Sequence, residues 1–306
     1  MPNARPVPTV RRRRLGEALR QLRNTAGPDN AGLTLEEAAG LLAKLDTEAG
    51  REKSSWTSPK LSRIENAQAH IRPNEVTDVL TAYGVTDPEV YSALEGLAKH
   101  AGNKGWWQTY SGLVAPAYAD YISLESDAER ISEWAPQLIP GLLQTAAYAR
   151  ETIAVNATTR TPQEVTALAE VRMARQAVLS RPERPLTLWA VIHEAVLHQR
   201  FATRPTLMRD QLRRLLDAAD LPNVTLQIMP LHAGPHPGTS GGFSLVGFPG
   251  LMPAVVLLEN LVGASYVEAV DEVKIFANAF ERILAAALPT DESLALIARL
   301  EESTRT

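Results

Sequence analysis

Apolar residues recur at helical spacing through most of the first hundred residues. A periodic run over residues 15–22 stops at Gly27, where a glycine followed by a proline ends the helix. Thr34 and Glu37 then have the spacing of a capping box, in which each residue satisfies a backbone donor of the other. These signals predict the first two helices of an all-α unit.

Three more helices are predicted to follow. They begin near Thr57, at Pro73 and after Pro88, because a hydroxyl caps the first and a proline suits the opening turn of each. We therefore expect a five-helix, lambda-repressor-like helix-turn-helix domain over residues 15–101. The glycine-containing segment that follows it is the predicted domain boundary.

Beyond this boundary the pattern changes, first to mostly helical sequence and then to short β-type runs separated by turns rich in glycine and proline. The predicted strands are residues 186–192, 224–229, 243–248, 254–258 and 265–268. Amphipathic helices are predicted over residues 205–219, 270–288 and 291–301. The sequence thus predicts a multidomain α+β chain, in which residues 106–306 form a mixed α+β domain with a small, mostly antiparallel sheet.

Composition narrows the class of protein. Apolar residues make up 45% of the chain and charged residues 22%, which is typical of a globular protein. The chain has no cysteine, which excludes disulfides and thiolate metal sites and favours a reducing compartment. Neither an apolar run of membrane-spanning length nor a secretory signal is recognisable. We expect a cytoplasmic protein.

Charge is distributed unevenly along the chain. The first 72 residues carry 13 Lys and Arg against 8 Asp and Glu, whereas the other 234 carry 18 against 27. A basic end on an acidic body directs affinity for a polyanion to that end. The residues ahead of the first predicted helix, 1–14, are expected to form a basic arm that contacts DNA phosphates. The arginines expected to make these contacts are Arg11, Arg12, Arg13 and Arg14, and Arg5 precedes them in the arm.

The segment Trp56–Asn66 has the composition of a recognition helix. Its polar positions suit contacts with phosphates or base edges in the major groove. Those positions are Ser58, Lys60, Ser62, Arg63 and Asn66. Arg63 is the best candidate for a bidentate contact to guanine.

Ordered motifs along the chain resemble those of a known family. Residues 19–23, 33–37 and 61–66 are similar to the Cro/XRE-type helix-turn-helix, and motifs such as 136–145 and 241–244 extend the similarity. The chain as a whole resembles actinomycete transcriptional regulators of the WhiJ-like, antitoxin-like kind, which carry a C-terminal domain of unknown function.

The resemblance implies roles for individual residues. Ser58, Pro59 and Arg63 match positions that read bases in the family. Thr57 matches the helix cap, and Asn66 matches a phosphate-contacting position.

Other matched positions are structural. Arg23 and Glu65 match a buried pair that ties the first helix to the third. Relative to the family, the chain has longer connections at residues 28–32 and 46–55. Arg51 and Lys53 in the second of these are further candidates for a backbone contact with DNA.

Catalytic and metal motifs are weaker. His193 and His198 are five residues apart, which places them on different sides of a helix, unlike the histidines of a zinc protease. His232 and His236 flank a Gly-Pro turn without a third ligand. The sequence Gly238–Gly242 matches the nucleophile motif GxSxG around Ser240, but a loop precedes it and a strand is predicted after it. We expect no enzyme, no metal and no cofactor.

Three functions are weighed. The first is a sequence-specific regulator that binds double-stranded DNA as a homodimer, with a C-terminal domain for dimerisation or response to a small-molecule effector. The second is an antitoxin-like protein whose main task is to bind a small partner protein, and whose DNA binding is autoregulatory. The third, a hydrolase, is disfavoured. Aromatic residues of the middle segment either pack in the core or line an effector pocket.

Overall fold

The computed structural model describes residues 9–51, 54–100, 106–110, 112–156, 160–202, 204–250, 252–261 and 263–304. The chain forms two compact units. The first comprises Met1–Gly105 with Pro249–Pro253, and the second comprises Trp106–Phe248 with Ala254–Thr306. The sequence predicted two domains that are each continuous in the chain, so it did not assign residues 249–253 to the first unit. No helix among the described residues combines the length and apolarity needed to cross a bilayer.

The first unit is helical. Its α-helices are α1 Val10–Thr25, α2 Leu35–Glu48, α3 Ser58–Glu65, α4 Pro73–Ala82 and α5 Pro88–His100. The predicted capping box is confirmed, because Glu37 N donates to Thr34 Oγ1 at 3.2 Å and Thr34 N donates to Glu37 Oε2 at 2.8 Å. The helices enclose one apolar core that includes Leu19, Leu42 and Leu80. The predicted helical N-terminal region is therefore present.

The predicted arm is wrong for residues 10–14, which already belong to α1. Thr9 caps this helix, since Arg12 N donates to its Oγ1 at 3.3 Å, and no proline after Pro8 prevents the helix from extending back to this point. Residues 1–8 of the predicted arm lie outside the described residues.

The second unit contains a mixed sheet. Its strands among the described residues are β1 Arg130–Ala135, β2 Thr187–His193, β3 Val224–Met229, β4 Phe243–Gly247, β5 Val255–Asn260 and β6 Gly263–Val267. Its α-helices are α6 Pro116–Asp127, α7 Ala146–Asn156, α8 Pro162–Arg175, α9 Glu194–Leu197, α10 Leu207–Ala219, α11 Val270–Ala286 and α12 Thr290–Ser303. The strand order is β3-β2-β1-β4-β5-β6.

The prediction of a mostly antiparallel sheet missed its parallel half. β1, β2 and β3 run parallel, whereas β4, β5 and β6 join them by antiparallel pairing. Parallel neighbours need long crossovers, which α7, α8 and α10 supply. β1 itself was missed because it lies between helices and carries Arg130 and Glu133, which are unusual in a central strand.

An ion pair joins α6 to α8 in the second unit. Arg175 donates through Nε and Nη2 to the two carboxylate oxygens of Glu125 at 2.8 and 2.6 Å, and both residues are buried. Arg175 also donates to Tyr118 Oη at 2.6 Å, and its guanidinium lies 4.8 Å from the ring centre of Tyr121. These tyrosines therefore hold an internal cation.

The first prediction concerns how closely α1 approaches α3. A Cβ atom on Gly16 would lie 2.6 Å from the Glu65 carbonyl oxygen and 2.7 Å from that of Ile64. We expect Gly16→Ala to lower the free energy of unfolding by about 1–3 kcal/mol, because two backbones must separate. Hydrogen exchange of peptides from α1 and α3 measures the effect.

Gly40 in α2 is the matched control, since a Cβ there would meet nothing within 4 Å. Gly40→Ala is expected to stabilise the helix by roughly 0.5–1 kcal/mol because alanine loses less backbone entropy than glycine on folding. Equal effects of the two substitutions would contradict the close approach.

The second prediction concerns Glu133, which lies opposite Ala190 of β2 and Ser244 of β4. Burial, reinforced by Glu259, raises the pKa of Glu133 from 4.5 to about 8. Between these values the folded state binds a proton that the unfolded state releases, so stability falls as the pH rises from 4.5 to 8. Urea denaturation across this range is expected to show a flatter pH dependence for Glu133→Gln than for the wild type.

Candidate nucleic-acid interface

Helix α3 has a polar side and a buried side. Leu61, Ile64 and Glu65 are buried. On the other side Ser62 and Arg63 each lie three or four residues from both Pro59 and Asn66, so these four residues form one stripe. Pro59, Arg63 and Asn66 are exposed, and Ser62 is half-buried.

The beginning of α3 is fixed by its cap and its preceding residue. Lys60 N donates to Thr57 Oγ1 at 3.3 Å, and exposed Thr57 is followed by half-buried Ser58. Trp56 is buried in the helical core, so it anchors the chain immediately before the helix. The end of α3 that the resemblance assigns to base reading is thus held firmly.

Arg63 is the cation on the exposed stripe. Its Nε donates to the Pro59 carbonyl at 3.3 Å, which directs the side chain along the helix surface. Within the part of the chain that the structure describes, its terminal amino groups have no hydrogen-bond partner. They are available for a ligand with paired acceptors.

Lys60 does not belong to the exposed stripe, contrary to the prediction. Its Nζ donates to Glu75 Oε1 at 2.8 Å and to Ser55 Oγ at 3.1 Å, and lies 4.1 Å from the ring centre of Trp56. Burial opposes ionisation of Glu75, but its hydrogen bonds to Lys60 and to the Arg72 backbone lower its pKa below the usual value. Lys60 therefore ties α3 to α4.

Asn66 is also engaged inside the protein. Its Nδ2 donates to the Ser62 carbonyl at 2.7 Å, and its Oδ1 accepts from Arg20 Nη2 at 2.7 Å. The side chain closes the C-terminal end of α3 although it remains exposed. A phosphate contact by Asn66 stays a prediction.

The pair that the resemblance implied between Arg23 and Glu65 is present. Arg23 Nε donates to Glu65 Oε1 at 2.6 Å, Nη2 donates to Oε2 at 2.8 Å, and Nη1 donates to the Leu33 carbonyl at 2.6 Å. The hydrogen bond with Glu65 raises the pKa of Arg23. One guanidinium therefore links α1, α3 and the segment that precedes α2.

Sequence reasoning missed two residues that position α3. Gly16 allows the close approach described above, and Arg20 donates to both the Glu65 carbonyl and Asn66. Gly16, Arg20 and Arg23 lie on one face of α1 at spacings of four and three residues. That stripe of one glycine and two arginines is the signal that could have identified them.

The two longer connections are folded back on the unit. In the first, Gly32 N donates to the Ala26 carbonyl and Leu33 N to the Arg23 carbonyl, both at 2.9 Å. In the second, α2 continues to Glu48, and Arg51 pairs with Asp46 at 3.1 Å and Asp78 at 2.9 Å. Arg51 therefore holds its own loop, and because its side chain remains 46% exposed, a contact with the DNA backbone stays a prediction. Lys53 lies outside the described residues.

The arginines of the predicted arm differ in exposure. Arg11 and Arg14 are only 8% and 2% exposed, and Arg14 Nη2 donates to the Pro253 carbonyl at 3.3 Å within the same unit. We therefore remove these two from the DNA-contacting set. Arg12 and Arg13 are half-buried in the first turns of α1, and their phosphate contacts stay predictions.

Comparison with protein families agrees with this geometry. The family model described as a helix-turn-helix domain matches residues 14–93. The model described as a domain of unknown function, DUF5753, matches residues 118–299, which is more than half of the chain. The protein belongs to the DUF5753 family. No curated protein and no solved structure matches it.

In this DUF5753 protein the motifs weighed for catalysis and metal binding have other surroundings. His198 Nε2 lies 3.5 Å from Glu194 Oε1, and Ser240 ends a 3₁₀ turn, Pro237–Ser240, that leads into β4. Among the described residues no group of three or more His, Asp or Glu side chains is arranged to hold a metal ion.

The third prediction tests the link between α1 and α3. We expect Glu65→Ala to lower the free energy of unfolding by about 3–5 kcal/mol, because it leaves the partly buried Arg23 without its counter-charge. The double substitution Arg23→Met with Glu65→Leu is expected to be more stable than Glu65→Ala alone. Urea denaturation compares them, and equal losses for both proteins would contradict the buried pair.

Proposed function

We propose that the protein is a sequence-specific, DNA-binding transcriptional regulator that places α3 in the major groove. The observation that carries this proposal is the exposed stripe of α3 within a helix-turn-helix domain. A helix of this kind reads base edges with a few side chains while its opposite side packs in the core. The basic character of the first 72 residues supplies the attraction to phosphates.

Roles on α3 follow from the contacts. Arg63 is the proposed base-reading residue, since its planar fork matches the two acceptors of guanine in the major groove. Thr57, Ser58, Pro59 and Ser62 lie along the same surface and complete it. Lys60, Glu65, Arg20 and Arg23 set the position of α3 and are not proposed to contact DNA.

The wider assignment rests on the resemblance. We infer that the protein acts in the cytoplasm as a homodimer on paired half-sites, and that it has no catalytic role. The second candidate function is that of an antitoxin-like protein of the WhiJ-like actinomycete group, which binds a small partner protein. A stoichiometric partner in a pull-down with the full chain would favour it.

The fourth prediction concerns Arg63. Arg63→Ala is expected to weaken binding to the protein's own operator by about 5- to 150-fold, which corresponds to the loss of about 1–3 kcal/mol of base discrimination. Footprinting and gel-shift titration on DNA upstream of the gene measure this. Circular dichroism checks that the variant is folded.

Arg213→Ala is the matched control. Arg213 is an exposed arginine of α10 in the other unit, paired with Asp217 at 3.3 Å. Its loss is expected to leave the footprint unchanged. A folded Arg63→Ala protein that protects the operator as well as the wild type would exclude the assigned role.

A further inference from the structure

The carboxyl ends of β1, β2 and β3 lie at one end of the sheet because these strands are parallel. β4 is antiparallel to β1, so its first residue lies at the same end. From β1 the chain continues to β2, which lies next to β1 on one side in the sheet, whereas β4 lies next to β1 on the other side. Crevices at such a change of direction, outside the carboxyl ends of parallel strands, are common ligand sites in open sheets.

Three segments meet at this end around Trp134, namely the end of β1, the end of β2 and the glycine-rich turn before β4. Trp134 Nε1 donates to the Gly238 carbonyl at 2.8 Å, and a Cβ on Gly238 would lie 2.7 Å from the indole. A Cβ on Gly242 would lie 3.0 Å from Pro136. The glycine-rich turn before β4 therefore fits closely against the end of β1.

Two histidines flank Trp134. The ring of His193, the last residue of β2, is 6.3 Å from the indole, and the ring of His236 is 5.4 Å from it, both edge-on. Both imidazoles are half-buried. Burial, reinforced by His193, lowers the pKa of His236.

The hydrogen bonds of these histidines define their tautomers. His193 Nδ1 accepts from Ala195 N at 3.2 Å, and His236 Nδ1 accepts from Gly238 N at 3.1 Å. A neutral imidazole that accepts at Nδ1 carries its hydrogen on Nε2. Each histidine thus presents an N–H donor, and neither Nε2 has a hydrogen-bond partner among the described residues.

This tautomer argues against a metal. A histidine that binds a metal normally donates its other ring N–H to an acceptor, which leaves the ligating nitrogen with a lone pair. Here Nδ1 instead accepts a hydrogen bond from a backbone amide. Nε2 therefore carries the hydrogen and has no lone pair for a metal. Two Nε2–H donors call for a ligand with acceptor oxygens.

We propose that this end of the sheet binds a small oxyanion, a carboxylate or phosphate group of an effector. The inference rests on the proposed function, because it supplies the effector site of the regulator. His193 and His236 would donate to the oxyanion, and the exposed hydroxyls of Thr239 and Ser240 lie on the same turn. The GxSxG sequence then serves ligand binding.

The surrounding charges are compatible with an anion. The Glu194 carboxylate accepts from the backbone N–H of Leu231 at 2.9 Å and lies 3.5 Å from His198 Nε2, so both of its oxygens have partners within the protein. His232 is exposed on the preceding loop. Helix α11 contributes apolar side chains to the core around Trp134, and its charged residues Asp271, Glu272, Lys274, Glu281 and Arg282 are all exposed.

The fifth prediction concerns anion binding. The full-length protein is titrated with inorganic phosphate, and separately with acetate, and binding is monitored through the histidine side-chain NMR signals. Saturable binding is expected to shift the Nε2–H signals of His193 and His236, because each neutral imidazole presents that donor to the anion. The tighter of the two anions assigns the group as phosphate or carboxylate.

Isosteric variants test the donors. His236→Asn and His193→Asn keep an acceptor near the Nδ1 position but lack the Nε2–H donor, so each is expected to weaken anion binding by about tenfold. His70→Asn, at an exposed position of the helical unit, is expected to bind as the wild type does. Absence of saturable binding to the folded wild type, or equal binding by His236→Asn, would overturn the proposal.

Failure here is separable from failure of the proposed function. Arg63→Ala is expected to bind the anion normally while losing its operator. A wild-type protein that ignores DNA but takes up phosphate through His236 would refute the regulator and retain the anion site.

Discussion

The contact of α1 with the C-terminal end of α3 is the constraint on which the proposed DNA-facing surface depends. Gly16 lets the backbones approach, and the arginines one and two turns later bind the end of α3. The guanidinium groups lie at the negative end of a helix dipole, where cations are favoured. Because Arg23 also binds the Leu33 carbonyl, the same contact fixes where α2 begins.

This arrangement separates positioning from reading. The buried or half-buried charges pair within the protein, namely Arg23, Glu65 and Lys60. Arg63 is the arginine of α3 that stays exposed. A buried pair contributes little net stability, but removing one partner is costly. Such a pair is therefore well suited to hold a helix in one orientation, which a base-reading surface requires.

The second unit uses charge in a similar way. Arg175 and Glu125 join α6 to α8, while Glu133 lies on a central strand with a raised pKa. The next residue of the same strand, Trp134, lies beside two histidines whose Nδ1 atoms already accept hydrogen bonds. The end of the sheet thus presents the Nε2–H donors of His193 and His236, which have no partner among the described residues. The core charges are paired, as in Arg175 and Glu125, or neutralised, as in Glu133.

The sequence alone determined the local features. The capping box at Thr34, the start of α3 after Thr57 and the positions of most strands follow from interactions between residues close in the chain. The resemblance also identified Arg23 and Glu65. These signals sufficed to recognise a helix-turn-helix domain followed by an α+β domain, in agreement with the family matches.

Only the tertiary structure decided which polar residues are paired within the protein. Lys60 and Arg51 look like DNA-contacting cations in the sequence, but their partners Glu75 and Asp78 lie 15 and 27 residues away. The parallel order of β1, β2 and β3 likewise depends on crossovers that local pattern does not encode. Long-range pairing of charges and strands, which a periodicity cannot reveal, therefore defined both the reading surface and the histidine-lined end of the sheet.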